Sequence, residues 1–406
     1  MSFQTGLSGL NAASRNLDVI GHNIANANTV GSKVSRAEFS EIVAASTIAG
    51  NGKTAGIGVE VATVSQQFTQ GNVNVTGGNL DLAINGAGFF PLKAPDGTTA
   101  YTRAGEFKLD TLGNIVTNAK ANLMGYPTSV SGSVTSSTLQ PMQLPTSTPI
   151  AAKATTAITA DFNLNAKAAV WNAVVPNTPL ATYGTSLTTY DSQGAPIATS
   201  VYMRKTANDT WEVFTDPTDA TTAASTVAAT LTFGTNGSLV STSPATPTLK
   251  VTSPNPTIGT FTPTLDMGKA TQFATTFAVS NLTQDGYAPG EFISLKIADN
   301  GNILASYSNG QNQVTGKIAL VDFRNAQGLA PASNDTWTET IASGQPVQGG
   351  PGEGKFGALH SGALEDSNID LTSELVNMMT AQRSYQANAQ TIKTQDQVLS
   401  TLTNLR

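Results

Sequence analysis

The sequence predicts an α+β, multidomain and nested fold. N- and C-terminal α-helices form a coiled-coil-like inner layer, and mostly-β middle domains include an outer β-barrel or sandwich-like insert. Three observations carry that prediction. Apolar and small residues recur at alternating steps of four and three at both chain ends. Between the ends run short alternating segments broken by Gly, Pro and Asn turns. The chain, at 406 residues, also exceeds what one ordinary core holds.

In chain order, residues 1–30 read as the first helix. Phe3, Leu7, Leu10, Ser14, Leu17, Gly21 and Ile24 lie on one stripe. The helix runs out in "GHNIANANTVGSK" (21–33), and 31–70 reads as a connector with a β-hairpin or extended segment. Gly50, Gly52, Gly56 and Gly58 give that connector hinge freedom. Residues 71–145 form the first part of a β-rich domain, punctuated by "TGGN", "INGAG", "APDGT" and "DTLGN". Residues 146–280 are Thr-, Ala- and Pro-rich and form the outer β insert, with strands at "SLTTY", "TSVYM", "TWEVFT" and "ATLTFG". Residues 281–349 complete the first β domain, and 350–369 form a return connector.

The last segment, 370–406, is the second helix. Its stripe is Leu371, Leu375, Met378, Gln382, Tyr385, Ala389, Ile392, Asp396 and Leu399, flanked by Val376, Met379, Val398 and Leu402. Asp370 or Ser367 caps its start. At 1.5 Å per residue it would be a rod of roughly 50 Å. Helical stability comes mostly from packing an apolar face, so the two terminal helices are expected to pair. One such pair leaves Leu10, Ile20, Val376 and Met379 partly wet, which points to burial against further copies.

Composition narrows the function. Only 12% of residues are charged, and the formal charge is −6. No Lys/Arg cluster stands out, so neither a nucleic-acid partner nor an anionic membrane surface is expected. No apolar run is long enough to insert into a bilayer. With no cysteine, disulfides and thiolate chemistry are excluded. The N-terminus lacks a basic segment followed by an apolar one, so no cleaved signal peptide is expected.

Sites of chemistry are also thin. "GGPGEGKF" (349–356) matches G-x-x-x-x-G-K, but Phe356 stands where the loop needs Ser or Thr to hold magnesium. A Gly-rich connector is the better reading. His22 and His360 sit in no metal-ligand spacing. No nucleophile elbow or calcium loop is present. The expectation is therefore no catalytic residue, no cofactor and no metal. Opposite the second stripe lie Gln386, Asn388, Gln390, Thr391, Thr394 and Gln395, which read either as an ordinary wet face or as a neutral polar lining.

Three separated motifs then match one family in order. "SGLNAASRNLDVIGHNIANANTVGSK", "QGNVNVTGGNLDLAINGAGFF" with "YTRAGEF", and "LEDSNIDLTSELVNMMTAQRSYQANAQTIKTQDQVLSTLTNL" resemble the bacterial flagellar rod and hook family. They cover residues 1–126 and 357–406 well and 280–325 moderately. "SLTTYDSQGAPIATSVYMRKTANDTWEVF" is similar to the outer domain of the family's hook members, whereas rod members are shorter. Two departures stand out: Ser32 replaces a usual aromatic, and "TNAKANLMGYP" lacks the Gly expected near Lys120.

The resemblance implies a structural subunit that polymerises with itself into a curved, flexible tube. That tube is a universal joint transmitting torque from rod to filament around the export channel. Its partners would be rod, hook-cap and hook–filament junction proteins and the flagellar export apparatus. It would be extracellular, exported without a cleaved signal peptide. The stripe residues would pack subunits; Asn23, Asn26 and Thr29 would tie the connector to the C-terminal helix or to neighbours, with Gly31 in the same connector signature; Gln386 and Gln390 would line the channel. A ligand site around His22 is the competing reading of that connector. A distal-rod or other axial protein, or a secreted β-rich adhesin, is the alternative for the whole.

Overall fold

The computed structural model describes residues 3–43, 56–145, 149–171, 181–215 and 227–404. Gly50 and Gly52 lie outside the described residues. Helix α1 (Phe3–Ala25) and helix α2 (Leu371–Asn404) stand at the two ends, and the described residues between them are β, turn and loop with one 3-10 turn at Ala326–Gly328. The chain divides into two compact units. The first is Met1–Ser147, Ser294–Ser306 and Asn312–Arg406; the second is Thr148–Ile293 and Tyr307–Gln311.

In the first unit α1 and α2 run antiparallel and touch through small residues. A Cβ built on Gly6 would sit 3.2 Å from Ile392, and one on Gly9 would sit 3.0 Å from Asn388. Backbones can approach this closely only where one side has no side chain. After α1 the chain forms a hairpin of β1 (Ser35–Val43) and β2 (Gly56–Gln66), antiparallel from Ser35↔Gln66 outward with two register shifts. The hairpin packs against α1.

The body of the unit closes its first strands with its last. Val73–Val75 pairs with Ala363–Glu365, and Leu82–Asn85 pairs with Ala358–Ser361. In the main sheet Asn312–Ile318, Asn122–Tyr126, Phe90–Lys93, Thr99–Thr102, Thr336–Thr338 and Ala330–Ala332 follow one another as neighbours. Its core includes an edge-to-face group of Phe68, Phe89, Phe323, Tyr101 and Trp337. The Trp337 indole N–H donates to Gln66 Oε1 at the end of β2, which ties hairpin to body.

The second unit is two sheets on one core. Tyr183–Tyr190, Pro196–Ala207, Thr210–Phe214, Ala229–Phe233 and Leu239–Ser243 form an antiparallel five-stranded sheet. A second sheet centres on Ala157–Asn165, parallel to Thr264–Asp266 and Thr271–Phe273 and antiparallel to Ala278–Gln284. Ile158, Ala160, Phe162 and Leu164 alternate inward along that central strand and meet Met203, Trp211 and Leu231 of the other sheet. Buried Trp211 donates its indole N–H to Gln272 Oε1 at 3.0 Å, joining the sheets by a polar bond.

The barrel half of the expectation is corrected. Among the described residues the five-stranded sheet does not close, and Tyr183–Tyr190 and Leu239–Ser243 remain its edges. The second sheet covers its apolar face, so closure is not needed to bury it.

Candidate functional site: the terminal helices and their clasp

The predicted stripes remain largely uncovered in the single chain. Phe3, Leu7, Leu371, Leu375, Tyr385 and Leu399 are 38–54% exposed, and Leu10, Leu17, Ile24, Met378 and Ile392 are half-buried. The residues that α1 buries are Gly6, Ala12, Ala13, Ile20 and Asn23, and α2 buries Ala381. Thus α1 buries mostly small side chains while several large apolar ones on both helices face solvent; Ile20, expected to stay partly wet, is instead buried at 5% exposure. Val376 and Met379 add to the same surface. Large exposed apolar side chains thus recur along both helices. Gln386 and Gln390 are exposed on α2.

The helix ends are fixed by specific bonds. Asp370 Oδ1 accepts the amides of Thr372 and Ser373 at 2.9 and 3.3 Å, so Asp370 is the cap of α2. Ser367 instead bridges to the outgoing connector, its hydroxyl donating to the Ser32 carbonyl at 3.2 Å. At the end of α1, Asn23 is buried and holds both backbone groups of Ser35, accepting from its N–H at 2.9 Å and donating to its C=O at 2.8 Å. The same amide donates to Glu374 Oε2 on α2 at 3.2 Å. Asn26 and Thr29 bond locally: Asn26 donates to the His22 carbonyl at 2.9 Å, and the Thr29 hydroxyl donates to Asn26 Oδ1 at 3.4 Å. Within the single chain Asn23 reaches α2, whereas these bonds of Asn26 and Thr29 stay within the turn. Gly31 has φ +73°, and a Cβ there would meet the Ala104 amide nitrogen at 2.5 Å.

Beneath these turns lies a buried ionic clasp that the sequence did not single out. Glu365, fully buried, accepts from Lys33 Nζ at 2.6 Å, from Arg103 Nη1 at 3.1 Å and from the Gly71 amide at 3.0 Å. Lys33 also donates to the Thr69 carbonyl at 2.8 Å, and Arg103 to the Gly86 carbonyl at 2.9 Å while lying over the Phe89 ring. Burial pulls the Lys33 ammonium below its ordinary pKa, against the opposing pull of Glu365. Arg103 is lowered by the same burial and likewise supported by Glu365. Beside them Asn368 accepts the Val34 amide at 2.8 Å and donates to the Gln67 carbonyl at 2.8 Å. Outgoing connector, return connector and body are thus held at one place. The only sequence signal was charge itself, rare in this chain and present in all three segments.

The two departures from the family pattern have clear local settings. Lys120 adopts φ +61° in the turn where its amide bonds the Thr117 carbonyl at 2.9 Å, the conformation that Gly would hold without strain. Ser32 is buried, and burial pushes the Asp335 carboxyl up, against the opposing pull of Ser32. The remaining candidates carry no pocket chemistry. Lys355 reaches Asp322 at 2.6 Å and Glu353 pairs with Lys317, so "GGPGEGKF" is a pinned turn. His22 is exposed at the end of α1, and His360 lies beside Asn85.

Sequence comparisons identify this chain of helical termini, clasped connector and β units as a flagellar axial protein. Residues 3–33 match the family described as flagella basal body rod protein, and 360–405 match the C-terminal domain of the basal body rod proteins FlgEFG. Residues 83–161 match the D1 domain of flagellar hook protein FlgE/F/G, and 163–287 match the basal body protein FlaE D2 domain. The flagellar hook protein FlgE of Salmonella typhimurium is 42% identical over 432 aligned positions, covering all of both chains. That of Escherichia coli is 41% identical, again over the full length of both. The crystal structure of Helicobacter pylori flagellar hook protein FlgE2 superposes with TM-score 0.54 at 16% identity, covering 72% of this chain and all of that one, which speaks to fold alone. The chain belongs to the flagellar hook protein family. It is a structural protein of the flagellar hook, and no helix among the described residues is long and apolar enough to cross a membrane.

Proposed function

We propose that the chain polymerises with itself through the exposed stripes of α1 and α2, giving a curved tube that transmits torque from rod to filament. The observation that carries this reading is the exposure of Phe3, Leu7, Leu371, Leu375, Val376, Met379, Tyr385 and Leu399 on the helices, while α1 buries mostly small residues. A monomeric end state would gain nothing from that arrangement. Each Leu or Met buried against a neighbour contributes roughly 1.5–3 kcal/mol, so several together outweigh the cost of ordering a copy.

The layers follow the sequence division. Segments 1–30 and 370–406 form the inner wall, with 31–70 and 350–369 as connectors; 71–145 with 281–349 form a middle layer, and 146–280 the outer one. Gln386 and Gln390 present a neutral surface to chains passing along the channel. Rod, hook-cap and hook–filament junction proteins and the export apparatus are the expected partners, and the subunit acts outside the cell after export without a cleaved signal. The protein works as a structural element with no catalysis, cofactor or metal. The family relationship and the low share of charged residues support these assignments.

The test is Leu375→Asp. Leu375 is exposed in the single chain, so the charge leaves the monomer's fold intact. Electron microscopy after concentration in precipitating salt should show tubes from the parent chain and none from the variant. Normal tubes from the variant would show that this stripe is not the seam.

A further inference from the structure

The clasp holds more positive than negative charge. Lys33 and Arg103 share the one carboxylate of Glu365; the side chains of Lys33 and Glu365 are wholly buried, and that of Arg103 nearly so. Asp322, the other carboxylate that acts on Arg103, is already paired with Lys355 at 2.6 Å. Unbalanced buried charge is costly, and Lys33 is the group that can shed it, because a guanidinium keeps its proton. Burial, aided by Arg103, draws the Lys33 ammonium toward the neutral amine, against the pull of Glu365. A neutral amine beside another cation is a nucleophile, and one this deeply buried meets only electrophiles inside the protein.

One such electrophile is the half-buried side-chain amide of Asn368. Lys33 Nζ and Asn368 Nδ2 donate to the same acceptor, the Thr69 carbonyl, at 2.8 and 3.2 Å, so the two nitrogens are neighbours on one oxygen. The Asn368 carbonyl oxygen accepts the Val34 amide at 2.8 Å, which polarises Cγ and is placed to stabilise the negative oxygen of a tetrahedral intermediate. Bonds from Nδ2 to the Gln67 carbonyl and the Thr69 hydroxyl, each 2.8 Å, fix the amide plane. Glu365 Oε1, 2.6 Å from Nζ, is placed to carry a proton.

We propose that Lys33 and Asn368 join in an intramolecular isopeptide bond made by the folded chain itself. Nζ bonds to Cγ of Asn368, and the Cγ–Nδ2 bond breaks. Glu365 takes one proton from Nζ and returns it to Nδ2, which leaves as ammonia. The step needs no oxidant, cofactor or second substrate. Its product is a covalent strap between the outgoing and return connectors, independent of the self-assembly proposed above.

The parent chain itself carries the test, by mass spectrometry after folding, storage and denaturation. Its intact mass should fall short of the sequence mass by one ammonia. Trypsin should release a branched peptide joining residues 16–36, uncut at Lys33, to residues 356–383. An asparagine that closes on its own backbone to a succinimide loses the same mass, so that loss without the branched peptide overturns the proposal. A full sequence mass with cleavage at Lys33 also overturns it and leaves the clasp as ion pairs and hydrogen bonds. Asn368→Ala should restore the sequence mass; a branched peptide at Lys33 in that variant would refute Asn368 as the partner. Glu365→Gln should abolish the branched peptide, and its formation at the parental rate would remove Glu365 from the step.

Discussion

Lys120 is the residue at which local strain is most visible. Its side chain is exposed and its φ of +61° belongs to the left-handed region. A non-glycine residue there costs about 1–2 kcal/mol, and glycine's extra freedom in the unfolded chain takes back part of any gain. Lys120→Gly should therefore stabilise the first unit by about 0.5–1 kcal/mol, read as a higher denaturant midpoint with an unchanged slope. An unchanged or lower midpoint would mean that the turn is not strained by its side chain. The position was legible from the sequence, since a Gly was expected near Lys120. Asn23 was legible as a signature residue, but its partners were not, because bonds to Ser35 and Glu374 depend on two segments meeting in space.

At the scale of elements, the helices and most strands could be read from periodicity. "TWEVFT" and "ATLTFG" fall on the observed strands Thr210–Phe214 and Ala229–Phe233. What could not be read was pairing across long sequence distance, and the clasp shows why. Glu365 meets Lys33 and Arg103 from 332 and 262 residues away, with no local pattern announcing either contact. Its removal should be severe. Glu365→Ala leaves two cations buried without their carboxylate, and losing one partner of a buried ionic group costs roughly 3–5 kcal/mol. We expect the first unit's transition to fall by that amount while the second unit's stays in place, as followed by hydrogen exchange of each unit. Equal loss in both units, or a loss under about 1 kcal/mol, would show that the clasp does not secure the first unit. The helix stripes teach a related lesson: their period was visible, but which side chains the chain keeps for itself was not. Gly6 and Gly9 lie outside the predicted stripe, yet they make close contacts with α2 because small residues allow close approach.

At the scale of the whole molecule, β units lie between two terminal helices in the chain, and the proposed assembly contacts lie at the chain ends. The second unit has its own core, with Trp211 and its neighbours buried. The sharpest check on this division compares the full chain with residues 66–369 alone. That fragment keeps Gln66 for Trp337 and Glu365 for Arg103, and it removes both helices and most of the hairpin. Ending it at 360 would instead delete the strand Ala363–Glu365 that closes Val73–Val75. Both samples are concentrated in precipitating salt and viewed by electron microscopy. Curved tubes are expected from the full chain and only dispersed monomers from the fragment. Tubes from the fragment would refute the placement of assembly in the chain ends, and only straight tubes from the full chain would contradict the curved-tube reading.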